Sequence, residues 1–258
     1  MKLKVLDLFS GIGGFSLGLE RTGHFETVAF CEIDEYCKLI LKKHWKGIKI
    51  YDDVKEITKE RLQADGIESP TIITGGVPCQ AFSVAGLQKG TSDPRHLWPE
   101  MFRVIKEFKS KWIIVENVTG LINVQDGVVF ETLCTDLESE GYEVQTFNIP
   151  VAGVGAPHLR QRIWVVAHTD TGNVETGRER QGKIRKGHQE EGVSDHVASG
   201  SEIEGQRQNS WSFEPDVGRM VDAVPGRIHR LKGLGNAICP QIAEEIGRAI
   251  IKAESSKM

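Results

Sequence analysis

Short apolar runs alternate with segments of helical periodicity along the first two-thirds of the chain. The runs typical of strands cover residues 5–9, 27–30, 71–74, 112–115, 144–149 and 163–167. Two intervening segments place their apolar residues on one helical face: Leu97, Met101, Val104, Ile105 and Phe108 in the first, and Val129, Leu133 and Leu137 in the second. This alternation predicts an α/β fold with a doubly wound, mostly parallel sheet.

The composition changes near residue 168. Residues 168–217 contain few apolar side chains, so they cannot bury a core of their own and form a small irregular insert. Helical periodicity returns afterwards, where one face carries Ile238, Ile242, Ile246 and Ile250. We therefore divide the chain into a main domain at 1–167, the insert at 168–217, and a C-terminal segment at 218–258 that packs back on the main domain.

Charge and cysteine content narrow the possible classes of protein. The net charge is −4, which excludes a wholly basic nucleic-acid coat but leaves local basic patches open. The five cysteines form no CxxC pair, so we expect reduced thiols and no metal site. Asp7 interrupts the apolar N-terminus, and no run of about 18 apolar residues occurs, so we expect a cytoplasmic protein without a membrane partner.

A glycine loop follows the first predicted strand. Gly11 and Gly13 let the backbone approach a ligand closely, although a plain tight turn has the same composition. The dinucleotide pattern G-x-G-x-x-G is not met, because Ser16 occupies the third glycine position. Glu32 follows the second strand, where a carboxylate can bind ribose hydroxyls, and Asp53 follows the next strand-like run. These carboxylates and the absence of Lys or Arg from the loop favour an adenosine cofactor without phosphates, such as S-adenosylmethionine.

Three further motifs carry candidate chemistry at strand ends. Cys79 stands between Pro78 and a glutamine in GGVPCQ, where a rigid backbone presents one thiol; an inert buried thiol is the alternative. Glu116 in ENV is a candidate acid or a structural carboxylate. Arg160 and Arg162 in RQR are either a clamp for an anion or carbonyl group or a solvated strand edge.

These motifs together resemble the DNA (cytosine-5)-methyltransferase family. They occur in the order DLFSGIGG, CEID, DDV, GGVPCQAFS, ENV, RQR and LGNAICPQ, and the resemblance covers about residues 1–167 and 219–258. It implies a methyltransferase of the S-adenosylmethionine-dependent fold whose partner is double-stranded DNA. A cognate restriction endonuclease would be a functional rather than a physical partner, and we expect a monomer.

The resemblance also assigns site residues. It makes Cys79 the nucleophile, Glu116 the acid, Arg162 the group that holds the cytosine carbonyl, and Arg160 a support for the loop or a phosphate. The residues expected around S-adenosylmethionine are Phe9, Gly11, Gly13, Glu32, Asp53, Val54, Pro78, Asn236 and Ile238, with the last two contributed by the final helix.

The insert falls where this family keeps its target-recognition region. Its basic cluster suits DNA phosphates and comprises Arg178, Arg180, Lys183, Arg185 and Lys186. A disordered polar insert is the alternative. Two other functions remain beside DNA methylation, namely methylation of tRNA and a non-catalytic DNA-binding role. An NAD oxidoreductase is disfavoured by Ser16 and by the PCQ motif.

Overall fold

The fold is built around one mixed sheet, as the alternation of apolar runs predicts. The computed structural model describes residues 2–78, 97–157, 159–170 and 233–256. Within these residues seven strands pair in the order β3-β2-β1-β4-β5-β7-β6. The strands are β1 Leu3–Leu8, β2 Phe25–Cys31, β3 Lys49–Tyr51, β4 Ile72–Gly75, β5 Trp112–Val118, β6 Glu143–Pro150 and β7 Gln161–His168. Only β7 runs antiparallel to its neighbours, so the predicted mostly parallel α/β sheet is confirmed.

The helices that flank the sheet are α1 Gly14–Arg21, α2 Glu35–His44, α3 Lys59–Ala64, α4 Trp98–Phe108, α5 Val128–Ser139 and α6 Pro240–Ser255. Short 3-10 turns cover Val54–Glu56, Thr119–Gly127 and Val151–Val154. The predicted apolar face with Met101, Val104, Ile105 and Phe108 is the buried face of α4, and Leu97 lies just before that helix. The predicted face with Val129, Leu133 and Leu137 is the buried face of α5. None of the helices described is both long and apolar enough to cross a membrane.

Strand alternation divides the buried residues into two cores, one on each face of the sheet. One core, between the sheet and α3, α4 and α5, contains Leu6, Leu8, Ile113 and Val115 from the strands. The other, beneath α1 and α6, contains Val5, Ile72, Ile114 and Trp164. Asp7, Thr74, Glu116 and Arg162 alternate with the strand residues of the first core, so their side chains belong to the face that carries α1 and α6.

The last helix packs directly on α1, close to the start of the chain. A Cβ added to Gly18 would lie 2.2 Å from the Pro240 carbonyl oxygen and 2.7 Å from the Ala243 Cβ. The far end of α6 is fixed by Glu254, which accepts hydrogen bonds from the Lys111 ammonium and the Trp112 indole. Small residues therefore let α1 and α6 approach closely, and this brings the segment preceding α6 to the carboxyl ends of the strands.

The predicted start of the last helix is wrong. Asn236 and Ile238 precede α6, which begins at Pro240. Proline suits the first helical position but disfavours helical backbone in the residue before it, and Cys239 is accordingly extended. Ile242 and Ile250 are buried as predicted, and Ile238 is buried from outside the helix.

Candidate active site

Most of the predicted site residues that the structure describes lie at the carboxyl ends of the strands, because the strands that precede them are parallel. The glycine loop follows β1, Glu32 follows β2, and residues 76–78 follow β4. Glu116 lies near the carboxyl end of β5. Arg162 enters from the antiparallel strand β7, paired opposite Val118 and diagonal to Glu116.

The glycine loop has a left-handed backbone at three positions. Phe9, Gly11 and Gly13 have φ values of 52°, 54° and 84°. A Cβ on Gly13 would lie 2.6 Å from the Trp45 ring, whereas one on Gly11 would meet nothing within 4 Å. Phe9 is a bulky residue in a conformation that costs of order 1–3 kcal/mol, and such strain concentrates at functional sites. The loop is therefore packed on one side and open above Gly11.

The predicted ribose and adenine contacts follow neighbouring strands. Glu32 is buried, and its two carboxylate oxygens accept hydrogen bonds from the backbone N–H groups of Gly11 and Asp34, each at 2.7 Å. Asp53 caps the 3-10 turn that follows β3 by accepting a hydrogen bond from the Lys55 backbone at 3.0 Å. Val54 is buried beside it. Glu32 thus fixes the glycine loop and leaves carboxylate lone pairs for a ligand.

The backbone of the loop after β4 is held by Asn117. The Asn117 amide donates a hydrogen bond to the Val77 carbonyl at 3.1 Å, and its oxygen accepts one from the Val118 backbone at 2.9 Å. This positions Pro78, the residue before Cys79. Cys79 itself lies outside the described residues. Asn117 was not among the predicted site residues, although it belongs to the same ENV motif as Glu116.

Glu116 is a buried carboxyl group in a cationic setting. Burial raises its pKa from 4.5 to about 7, and the positive charges of Arg162 and then Arg160 oppose this increase. Arg162 Nε lies 3.0 Å from Glu116 Oε1, yet this oxygen has no hydrogen bond of good geometry from any described residue. A Cβ on Gly76 would lie 3.6 Å from Glu116 Oε2. The carboxyl group therefore faces the loop that leads to Cys79, and its raised pKa favours the protonated form more than that of an ordinary glutamate does.

Arg160 joins the site to the segment before α6. Its Nη2 donates a hydrogen bond to the Ala237 carbonyl at 2.8 Å, while its Nε is buried without a hydrogen-bond partner among the described residues. Ile238 reaches the same loop, since its Cδ1 would lie 3.4 Å from a Cβ on Gly76. Asn236 is exposed. Arg160 was expected to support either the loop or a phosphate, and its hydrogen bond to the Ala237 carbonyl is a contact of the first kind.

The structure thus brings Glu116, Arg160, Arg162, Ile238 and the Pro78 loop together at one end of the sheet. The glycine loop, Glu32 and Asp53 lie at the ends of the adjacent strands. The predicted DNA-binding cluster at 178–186 lies outside the described residues, as does nearly all of the 168–217 insert. Within the described ranges, no three His, Cys, Asp or Glu side chains form a group that could hold a metal ion.

Comparison with known proteins identifies the family. The sequence profile described as C-5 cytosine-specific DNA methylase matches residues 3–219, most of the chain. The chain belongs to this family. Similar proteins include the Type II methyltransferase M.Bsp6I of Bacillus sp. (strain RFL6), which is 34% identical over 64% of this chain and 51% of its own length. Another is the Type II methyltransferase M1.ScrFI of Lactococcus lactis subsp. cremoris, 37% identical over 64% of this chain and 41% of its own length.

Solved structures of related methylases share the fold. A protein described as a DNA modification methyltransferase encoded within an E. coli prophage superimposes with a TM-score of 0.57 and 24% identity, over 68% of this chain and 49% of its own. Spodoptera frugiperda DNMT2 superimposes with a TM-score of 0.55 and 22% identity, over 70% of this chain and 54% of its own. The chain spans about half the length of the curated relatives it matches.

Proposed function

We propose that this chain is a DNA cytosine-5 methyltransferase that uses S-adenosylmethionine and forms a covalent bond between Cys79 and the target base. The observation that carries the proposal is the environment of Glu116. A carboxyl group with a pKa of about 7 is buried beside Arg162 and faces the loop that leads to Cys79. Membership in the C-5 cytosine-specific DNA methylase family supports the same reaction.

The residues around the glycine loop suit S-adenosylmethionine. The loop is open above Gly11, no Lys or Arg lies in it, and Glu32 and Asp53 place carboxylates at the ends of the next two strands. Carboxylates suit a ligand that carries a positive sulfonium and ribose hydroxyls. Besides these three, the residues that would hold it are Phe9, Gly13, Val54, Pro78, Asn236 and Ile238. When bound, S-adenosylmethionine supplies the methyl group for C5 of cytosine.

The chain's own side chains would make C5 reactive. The Cys79 thiolate forms a bond to C6 of cytosine, and the displaced electron pair is neutralised at N3 by the Glu116 proton. Arg162 binds the cytosine O2 carbonyl, and Arg160 holds the supporting segment through Ala237. After C5 has been methylated, its proton is lost to solvent. The electron pair of the C5–H bond then forms the C5–C6 double bond, the Cys79 thiolate is expelled, and N3 returns its proton to Glu116.

The target cytosine must leave the DNA duplex to reach these groups. Extruding a base costs a few kcal/mol, which contacts in the pocket offset. We propose that the 168–217 insert supplies the recognition surface and that Arg178, Arg180, Lys183, Arg185 and Lys186 bind phosphates. We further propose a monomer, with a cognate restriction endonuclease as its functional partner.

Bisulfite sequencing of DNA from cells that express the protein tests this function. We expect protected cytosines within one short sequence motif, and none when Cys79→Ser is expressed at the same level. The recognition sequence emerges from the same data. Methylation of tRNA but not DNA in parallel assays would establish the RNA alternative. DNA binding by the wild-type protein without methylation of either nucleic acid would establish a non-catalytic role.

A further inference from the structure

A further buried carboxylate, Asp7, has no part in the proposed reaction. It lies near the end of β1 with no exposed surface. One carboxylate oxygen accepts a hydrogen bond from the Ser16 hydroxyl and the other accepts one from the Thr74 hydroxyl, both at 2.8 Å. A buried acidic side chain in the middle of a sheet is costly unless its hydrogen bonds are made. The two hydrogen bonds meet this requirement, and each of them joins Asp7 to a different element of the fold.

The contact with Ser16 fixes the helix that follows the glycine loop. Ser16 lies in the first turn of α1, whose N-cap is Gly13. Gly13 makes no side-chain cap, and the first turn of α1 contains no acidic residue. The Asp7 carboxyl group supplies a hydrogen-bond acceptor to this helix end from the preceding strand. The position of the glycine loop, from Gly11 to Gly13, consequently depends on Asp7.

The contact with Thr74 fixes the strand that precedes Cys79. Thr74 lies near the end of β4, four residues before Pro78, and is itself fully buried. Asn117 holds this loop from the β5 side at Val77. Asp7 holds Thr74, in the strand that leads into this loop, from the β1 side. The same carboxylate thus contacts both the cofactor-side helix and the strand that leads to the proposed nucleophile.

We infer that Asp7 is a positioning residue that sets the distance between the glycine loop and the Cys79 loop through Ser16 and Thr74. This inference rests on the proposed function, because the two loops are taken to hold the methyl donor and the nucleophile. The Ser16 contact acts on binding of the donor, and the Thr74 contact acts on the alignment of Cys79. Burial raises the pKa of Asp7 to about 7, and hydrogen bonds from Thr74 and Ser16 oppose that increase.

The test separates the two contacts with near-isosteric substitutions. Ser16→Ala is expected to weaken S-adenosylmethionine binding about 10-fold, with kcat at saturating cofactor within about 3-fold of wild type. Thr74→Val is expected to lower kcat about 10- to 100-fold, since small misplacements of reacting groups have effects of this order. Cofactor affinity of this variant should stay within about 3-fold. Thr74→Ser keeps the hydroxyl and should restore kcat to within about 3-fold of wild type.

Thr27→Val is the matched control. Thr27 is a buried threonine on β2, which pairs with β1 on the side opposite β4, and its hydroxyl has no hydrogen-bond partner among the described residues. This variant removes the same atom as Thr74→Val without removing a contact to Asp7. Both its kcat and its cofactor affinity should lie within about 2-fold of wild type, and circular dichroism should confirm that all variants are folded.

Asp7→Asn should change both quantities, because the amide can accept a hydrogen bond from only one of the two hydroxyls. Methyl transfer by the wild type in the same assay tests the proposed function, and calorimetric titration with S-adenosylmethionine remains informative if transfer is absent. Wild-type cofactor affinity in both Ser16→Ala and Asp7→Asn would overturn the inference. So would equal losses of kcat in Thr74→Val, Thr74→Ser and Thr27→Val.

Discussion

Replacing Glu116 by glutamine should lower activity and, at the same time, raise the stability of the protein relative to wild type as the pH increases from about 4.5 to 7.5. The substitution preserves shape and hydrogen-bonding capacity but removes the proton that we assign to N3 of cytosine. We expect methyl transfer to fall about 10²- to 10⁴-fold, the usual scale for general acid catalysis. In the wild type, kcat/KM should decrease as pH rises above about 7, because the carboxyl group then loses its proton.

The stability effect follows from the raised pKa. A folded-state pKa of about 7 against an ordinary 4.5 corresponds to about 3 kcal/mol, since each pH unit is worth about 1.36 kcal/mol. The raised value means that folding favours the neutral form. Its contribution to stability is fully present below pH 4.5 and is lost as pH rises to about 7. The Glu116 side chain is only 9% exposed, so solvent screens this effect little.

The glutamine in Glu116→Gln does not ionise, so the variant does not lose this contribution to its free energy of unfolding as the pH rises. The free energy of unfolding of the variant, minus that of wild type, should therefore increase by about 3 kcal/mol between pH 4.5 and 7.5. Taking this difference cancels the titration of Asp7, which both proteins share. Any constant cost from leaving Arg162 with a neutral neighbour moves the whole difference curve without changing its slope.

Urea unfolding at a series of pH values measures the difference directly. Glu245→Gln, a substitution on the exposed side of α6, is the matched control for removing one carboxyl group from the protein. A curve for Glu116→Gln that does not differ from the control would show that folding does not raise the pKa of Glu116. Wild-type turnover in this variant would remove Glu116 from the proton-transfer step.

Three other substitutions test separate parts of the structure and the proposed function. Cys79→Ser should abolish methyl transfer but keep cofactor binding, and DNA containing 5-fluorocytosine should trap a covalent complex with wild type only; absence of a trapped complex contradicts the covalent mechanism. Neutralising Arg178, Arg180 and Arg185 should flatten the salt dependence of DNA affinity by up to roughly three units of slope, near 0.9 per lost phosphate contact, and parallel plots would show that they do not bind phosphate. Gly18→Ala should destabilise by about 1–3 kcal/mol, because overlap with Pro240 outweighs the gain in helix propensity of up to about 1 kcal/mol; a higher Tm would contradict the close packing of α1 on α6.

The sequence predicted the fold well where the pattern of apolar residues was long enough to show its period. A strand-like run was expected before Asp53, but the strand β3 has only three residues, Lys49–Tyr51, which is too short for alternation to give its bounds. The beginning of α6 was misplaced because Ile238 continues the helical spacing of the apolar residues, although Pro240 marks the true start. The restriction that Pro240 places on the backbone of Cys239 therefore decided where the helix begins, rather than the spacing of the apolar residues.

The candidate site was predictable as a set of strand ends but not as a network of contacts. Parallel pairing alone brings Glu32 and Glu116 to the same edge of the sheet. The hydrogen bond from Asn117 to Val77 joins residues 40 positions apart in the sequence, and that from Arg160 to Ala237 joins residues 77 positions apart. Both therefore depend on how elements distant in the sequence pack together. The raised pKa of Glu116 likewise comes from burial in the assembled fold. Asp7 did offer a signal, as an acidic residue within an apolar strand.

The packing of α6 on α1 also constrains when the protein can fold during synthesis. All seven described strands have been made once residue 168 has been translated, but the helix that covers Val5, Phe15 and Leu19 ends at Ser255. At a translation rate of about 5–20 residues per second, this leaves an apolar face uncovered for roughly 4–17 s. A nascent chain in that interval presents the surface that chaperones bind. Codon usage and chaperone supply between these two points should therefore govern the yield of folded protein.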